Sequence, residues 1–96
     1  MTTYFVSRHA GAVAWANQEG FAVDEQLSHF EPEQIQAGDK VLGTLPINLI
    51  AELNQRGARY FHLQLNLPPE ARGTELSADD MRRYGASLAE FSANKV

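Results

Sequence analysis

The chain has no cysteine, so disulfide frameworks and thiolate metal sites are excluded. It also lacks any apolar run long enough to span a bilayer. Its first residues do not follow the basic-then-apolar order of a signal peptide, and a cytoplasmic protein with no membrane partner is expected. Basic residues are scarce: eight Lys and Arg stand against twelve Asp and Glu, for a formal net charge of −4. Proteins that grip long nucleic acids neutralise many phosphates and carry a basic face, so a long nucleic acid is not an expected partner. A small anion is still allowed, because one or two placed cations and helix ends can hold a few phosphates against a mildly acidic background. The three histidines, His9, His29 and His62, show no metal-ligand spacing, and neither a metal nor another cofactor is expected. There is no P-loop, no GxSxG elbow and no GxGxxG turn. Nucleoside triphosphate hydrolysis, acyl transfer on that elbow and dinucleotide redox chemistry are therefore disfavoured.

What the chain does have is the composition of one globular domain. Its 96 residues, 44% of them hydrophobic, suffice for a single core over 1–96 but not for two. Thr3–Val6 is β-branched and aromatic with apolar character on both faces, as a central strand would be. Ser7, Arg8 and His9 follow without room for a linker, and Ala-rich sequence from Gly11 to Gln18 predicts a helix that Gly20 ends. Trp15 could stack on a base, though a place in the core suits it better. A strand is expected near Gln26–Phe30, then a turn over Glu31–Asp39 with Ile35 as an apolar plug. Lys40–Thr44 reads as another strand, running into Pro46 and a helix whose stripe is Ile47, Ile50 and Leu53. Thr44 is the better chemical choice for its N-cap, and Gly57 closes it.

Arg59–Leu67 alternates strictly, with Phe61, Leu63, Leu65 and Leu67 on one face and Tyr60, His62, Gln64 and Asn66 on the other. The second face is read as solvated or as a partner surface. Ser77 and Asp80 form a capping box with Asp in place of Glu. Met81, Tyr84, Leu88 and Phe91 then share a helical face, and the tail after Ser92 is expected to fray. Two strand-turn-helix units in so short a chain imply an α/β fold, with a mostly parallel sheet of about four strands flanked by helices.

In such sheets ligands sit beyond the carboxyl ends of the strands, where loops and helix N-termini meet. Ser7, Arg8 and His9 fall there, offering a hydroxyl, a guanidinium fork matched to phosphate oxygens, and an imidazole able to move a proton near neutral pH. Gly43, Thr44, Pro46 and Asn48 form a second corner, in which Gly43 lets a ligand approach the backbone while Thr44 and the helix N-terminus point donors outward. The blander reading pairs Arg8 with a surface carboxylate, makes His9 a helix cap and gives Ser7 to a turn. The outcome turns on whether the two corners meet.

Four blocks in order, TYFVSRHAGAVAWA, GDKVLGTLPINLIAEL, RGARYFHLQLNLP and LSADDMRRYGASL, resemble a family of very short CRISPR-associated ancillary proteins of type III systems. The resemblance covers nearly the whole chain. It implies a Rossmann-like domain, a homodimer and ring nuclease activity on a cyclic oligoadenylate, most often cyclic tetra-adenylate, which ends the antiviral response. It implies metal-independent chemistry in which a ribose 2′-hydroxyl attacks the adjacent phosphorus and leaves a 2′,3′-cyclic phosphate. Arg8 and His9 would be catalytic, and Ser7, Gly43, Thr44 and Asn48 would hold the ligand. Two alternatives stand beside it: a sponge or sensor that binds the ring without cutting it, and a protein-interaction adaptor using Tyr60, His62 and Gln64.

Overall fold

The computed structural model describes all 96 residues, Met1–Val96. Five strands form one sheet: β1 (Thr3–Val6), β2 (Glu25–Leu27), β3 (Lys40–Gly43), β4 (Arg59–Gln64) and β5 (Ser87–Phe91), in the spatial order β2-β1-β3-β4-β5. The first four are parallel and β5 is antiparallel to β4. Helices α1 (Ala10–Gln18), α2 (Ile47–Gln55) and α3 (Ala78–Arg83) complete the domain, with single 3-10 turns at Pro32–Gln34 and Pro69–Ala71. None of these helices is long and apolar enough to cross a membrane.

The period of two along each strand divides the core between the two faces of the sheet. On one face Phe5 and Leu42 meet Ala12, Trp15 and Ala16 of α1 and Met81 of α3. On the other, Val41 and Tyr60 meet Ile50 and Leu53 of α2, with Ile35 plugging the end. The apolar character of Thr3–Val6 on both sides follows directly, since β1 is covered by helices front and back. Trp15 is buried in the first of these clusters and Ile35 in the second, as expected.

The sheet has one strand more than expected. The run Ser77–Phe91 does not make a single helix. Its first part is α3, opened by Ser77, whose Oγ accepts the Asp80 amide while Asp80 accepts the Ser77 amide. Gly85 then takes φ +70°, and the Ala86 amide donates back to the Met81 carbonyl, so the helix stops in a glycine-type C-cap. Tyr84 ends the helix, while Leu88 and Phe91 belong to β5 and pair with Leu63 and Tyr60 of β4. The free edge of β4 supplies hydrogen-bond partners that local periodicity cannot register.

Five further expectations are corrected. The strand placed near Gln26–Phe30 is shorter and earlier, Glu25–Leu27, and β4 ends at Gln64 rather than Leu67. Thr44 does not cap α2: Pro46 occupies that position and no side chain caps the helix. Tyr60 does not face solvent but is fully buried against α2. The tail is fastened past Ser92, because the Ala93 amide donates to Asn54 Oδ1 at 2.8 Å.

Candidate functional site

Strands β1 and β3 lie side by side in register, Val6 opposite Gly43. The chain leaves β1 through α1 on one face and leaves β3 through α2 on the other. Two neighbouring parallel strands whose connections depart to opposite faces open a crevice at their carboxyl ends, the place where α/β sheets of this kind bind ligands. A cavity of about 230 Å³ lies there, lined by Phe5, Val6, Ser7, Arg8 and His9 from the first corner, Gly43 and Thr44 from the second, and Leu63. The two corners therefore meet. Asn48 does not line this cavity; it lies on α2, in a separate groove against the C-terminal tail.

Local bonding shapes the first corner. The Ser7 amide donates to the Leu27 carbonyl, which ends the β1–β2 ladder, and Ser7 Oγ accepts the His9 amide at 3.1 Å. Ser7 thus satisfies a turn, as its blander reading supposed. Arg8 and His9 do not follow theirs. Arg8 is exposed and makes no ion pair or hydrogen bond within the chain. His9 holds the N-cap position of α1, yet its side chain caps nothing. Its Nδ1 is buried without a hydrogen bond, and 3.5 Å from it stands Glu75 Oε1. That distance is too long for a hydrogen bond, and the carboxylate stands beside the ring without bonding to it.

Glu75 is a residue that sequence reasoning missed. It comes from the loop ahead of α3, and Gly11 explains how that loop comes so close. A Cβ on Gly11 would stand 1.9 Å from the Leu76 carbonyl oxygen and 2.7 Å from Ser77 Cα, so only a bare Cα lets α1 seat against this loop. Gly43 plays a similar part between the strands. Its φ is +157°, and a Cβ there would meet the Val6 carbonyl oxygen at 3.0 Å.

The second corner is held from beneath. The hydroxyl of Tyr60 donates to the Gly43 carbonyl at 2.9 Å and accepts the Leu45 amide at 2.9 Å, so one phenol spans both sides of Thr44. Burial raises the Tyr60 pKa above its ordinary value, against a smaller lowering from the Leu45 amide, and the phenol keeps its proton. The Thr44 side chain is left without a partner in the chain. No group of three His, Asp or Glu side chains gathers here or elsewhere as a metal cage.

The corner therefore combines an unpaired guanidinium, a hydroxyl pair from Ser7 and Thr44, an imidazole backed by a carboxylate and a helix N-terminus. These groups suit a phosphate with a neighbouring ribose. No curated protein and no solved structure matches the chain. One family model does, over residues 4–94, described as "Putative CRISPR-associated protein (Cas_VVA1548)". With that match spanning both corners and all five strands, the chain belongs to this family of CRISPR-associated proteins.

Proposed function

We propose that the protein is a ring nuclease that opens a cyclic oligoadenylate, most often cyclic tetra-adenylate, and so ends type III CRISPR antiviral signalling. The observation that carries the reading is the convergence of Arg8 and His9 with Thr44 on one cavity at the β1/β3 crevice. Membership of a CRISPR-associated family supports it.

The chemistry asks little of the protein. The 2′-hydroxyl of an adenosine attacks the phosphorus of its own 3′-phosphodiester, a bond forms from O2′ to phosphorus, and the bond to the 5′-oxygen of the next nucleotide breaks. The 2′-proton leaves to solvent and the 5′-oxygen takes one up, giving a linear chain with a 2′,3′-cyclic phosphate and a free 5′-hydroxyl. Because the nucleophile belongs to the substrate, alignment is the main task, and orientation can supply about 7–11 kcal/mol of the barrier. Arg8 holds the non-bridging oxygens and takes up the charge that builds on them. The Nδ1 of His9 faces Glu75, which leaves Nε2 to hand a proton to the departing 5′-oxygen, help worth about 10²–10⁴ in rate. Ser7 and Thr44 hold the ribose and phosphate in line, and Gly43 admits them close to the backbone. Asn48, outside the cavity, takes no part.

The test is to incubate cyclic tetra-adenylate in large excess over protein, with chelator present, and to separate the products by chromatography. Many linear products per chain, ending in a cyclic phosphate, are expected. Fewer than one product per chain with tight binding would make the protein a sponge, and no binding at all would leave the adaptor.

A further inference from the structure

The buried hydroxyl of Tyr60 has three partners: the Gly43 carbonyl oxygen at 2.9 Å, the Leu45 amide nitrogen at 2.9 Å and His62 Nδ1 at 2.7 Å. Two of them have fixed roles, since an amide N–H only donates and a carbonyl oxygen only accepts. The phenol has a single proton, and the Gly43 contact uses it. The third contact then closes only if Nδ1 itself carries a hydrogen and donates it to the phenol oxygen; two lone pairs at that separation would repel. We infer that His62, with its proton on Nδ1, is a positioning residue that acts through Tyr60 to fix the backbone on both sides of Thr44, and with it one wall of the phosphate cavity.

The surroundings fit that role. Tyr60 and His62 are two positions apart on β4 and so share a face of the sheet. His62 lies directly opposite Gly43 in the β3–β4 register. The imidazole is wedged edge-on against Phe91 of β5, with ring centres 5.9 Å apart at 88°, so the added edge strand holds the ring that holds the phenol. Without a capping side chain on α2, the stretch Gly43–Leu45 depends on the phenol for its hold from below. His62 does not touch the cavity. Its influence reaches a ligand only through the Gly43–Leu45 backbone.

The consequence at the ligand rests on the function proposed above, whereas the clamp itself does not, and the experiment separates them. In ¹⁵N-labelled protein above the histidine titration range, the His62 ring nitrogens should report a proton on Nδ1 and a bare Nε2; the opposite tautomer overturns the inference. Exchange of the Leu45 amide should quicken by about tenfold in Tyr60→Phe, which keeps the ring volume, and in His62→Leu. His62→Asn, whose amide N–H can take the place of Nδ1–H, should restore protection to within about threefold. Equal exchange in the Leu and Asn variants overturns it. The Kd for cyclic tetra-adenylate should rise about tenfold in Tyr60→Phe and His62→Leu but not in His62→Asn; faster exchange with wild-type affinity overturns the positioning role. Failure of the wild-type protein to bind the ring would overturn the proposed function, while the tautomer and the exchange rates would still judge the clamp.

Discussion

At the scale of single residues, Arg8 separates ligand chemistry from stability. Only two of the eight cationic side chains pair with a carboxylate, Arg59 with Glu90 at 2.7 Å and Arg82 with Asp79 at 2.7 Å. Arg8 is one of the six that do not, and of those six it alone lines the crevice cavity. An exposed side chain without partners adds little to folding, so Arg8→Ala should shift the melting temperature by less than about 4 °C. On the proposed function, the same truncation would remove a charge-assisted, two-pronged contact to phosphate, and affinity for cyclic tetra-adenylate should fall by at least about tenfold. Arg8→Lys should recover the charge but only part of the binding, because an ammonium cannot reproduce the fork. Thermal melts and calorimetric titration of the three proteins check both halves; a large loss of stability in Arg8→Ala would make the residue structural. Gly11 gives the opposite pattern. Alanine there places a carbon 1.9 Å from the Leu76 carbonyl, and the backbone must move rather than a side chain. Gly11→Ala should cost about 1–3 kcal/mol or more in urea unfolding, although alanine ordinarily favours a helix over glycine. It should also slow turnover, since the displaced loop bears Glu75.

At the scale of elements, α3 shows how a short helix is kept in place. Six residues are too few to persist alone, and Ala78–Arg83 relies on its capping box and on burying Met81 against α1. The Ser77 amide and hydroxyl hold the Asp80 carboxylate below its usual pKa, and Arg59 does the same for Glu90 on β5, first through their hydrogen bond. For a carboxylate depressed in the folded state, the stabilisation is present above the unfolded pKa and lost as pH falls through the folded one. Asp80→Asn should therefore lower the urea midpoint at neutral pH, and the difference from wild type should close in strong acid. A deficit equal at every pH would mean that charge has no part in the cap. The same element marks where local reading of the sequence ends. The cap was legible because Ser77 and Asp80 are neighbours in sequence. The break at Gly85 was not, because Leu88 and Phe91 sit at helical spacing from Met81 and Tyr84, and only the unpaired edge of β4 favours a strand. The site divides in the same way. Ser7, Arg8, His9, Gly43 and Thr44 stand at strand ends, where the two-unit pattern places them together. Glu75 arrives on an irregular loop, and Tyr60 looked polar because a strand covered on both faces can alternate like one covered on a single face.

At the scale of the whole molecule, the size of the cavity bears on how a ring could be held. About 230 Å³ falls short of the roughly 300–1,000 Å³ of pockets that enclose a complete ligand. It suffices for one phosphate and part of its sugar. A cyclic tetra-adenylate presents equivalent phosphates related by rotation, and a two-fold pair of chains would offer two identical corners to two of them at once. A two-fold interface is self-complementary, so a single patch serves both chains. Each chain alone would grip one phosphate with one guanidinium, whereas the pair would bind the second at a raised local concentration and gain affinity without a new kind of contact. Calorimetric titration should therefore give about 0.5 ring per chain, and native mass spectrometry should show two chains with one ring. Mixing wild-type chains with Arg8→Ala chains should yield mixed pairs of intermediate affinity, because each corner contributes separately. One ring per chain, with a monomeric complex, would mean that a single corner holds the whole ligand, and the symmetry argument would fail.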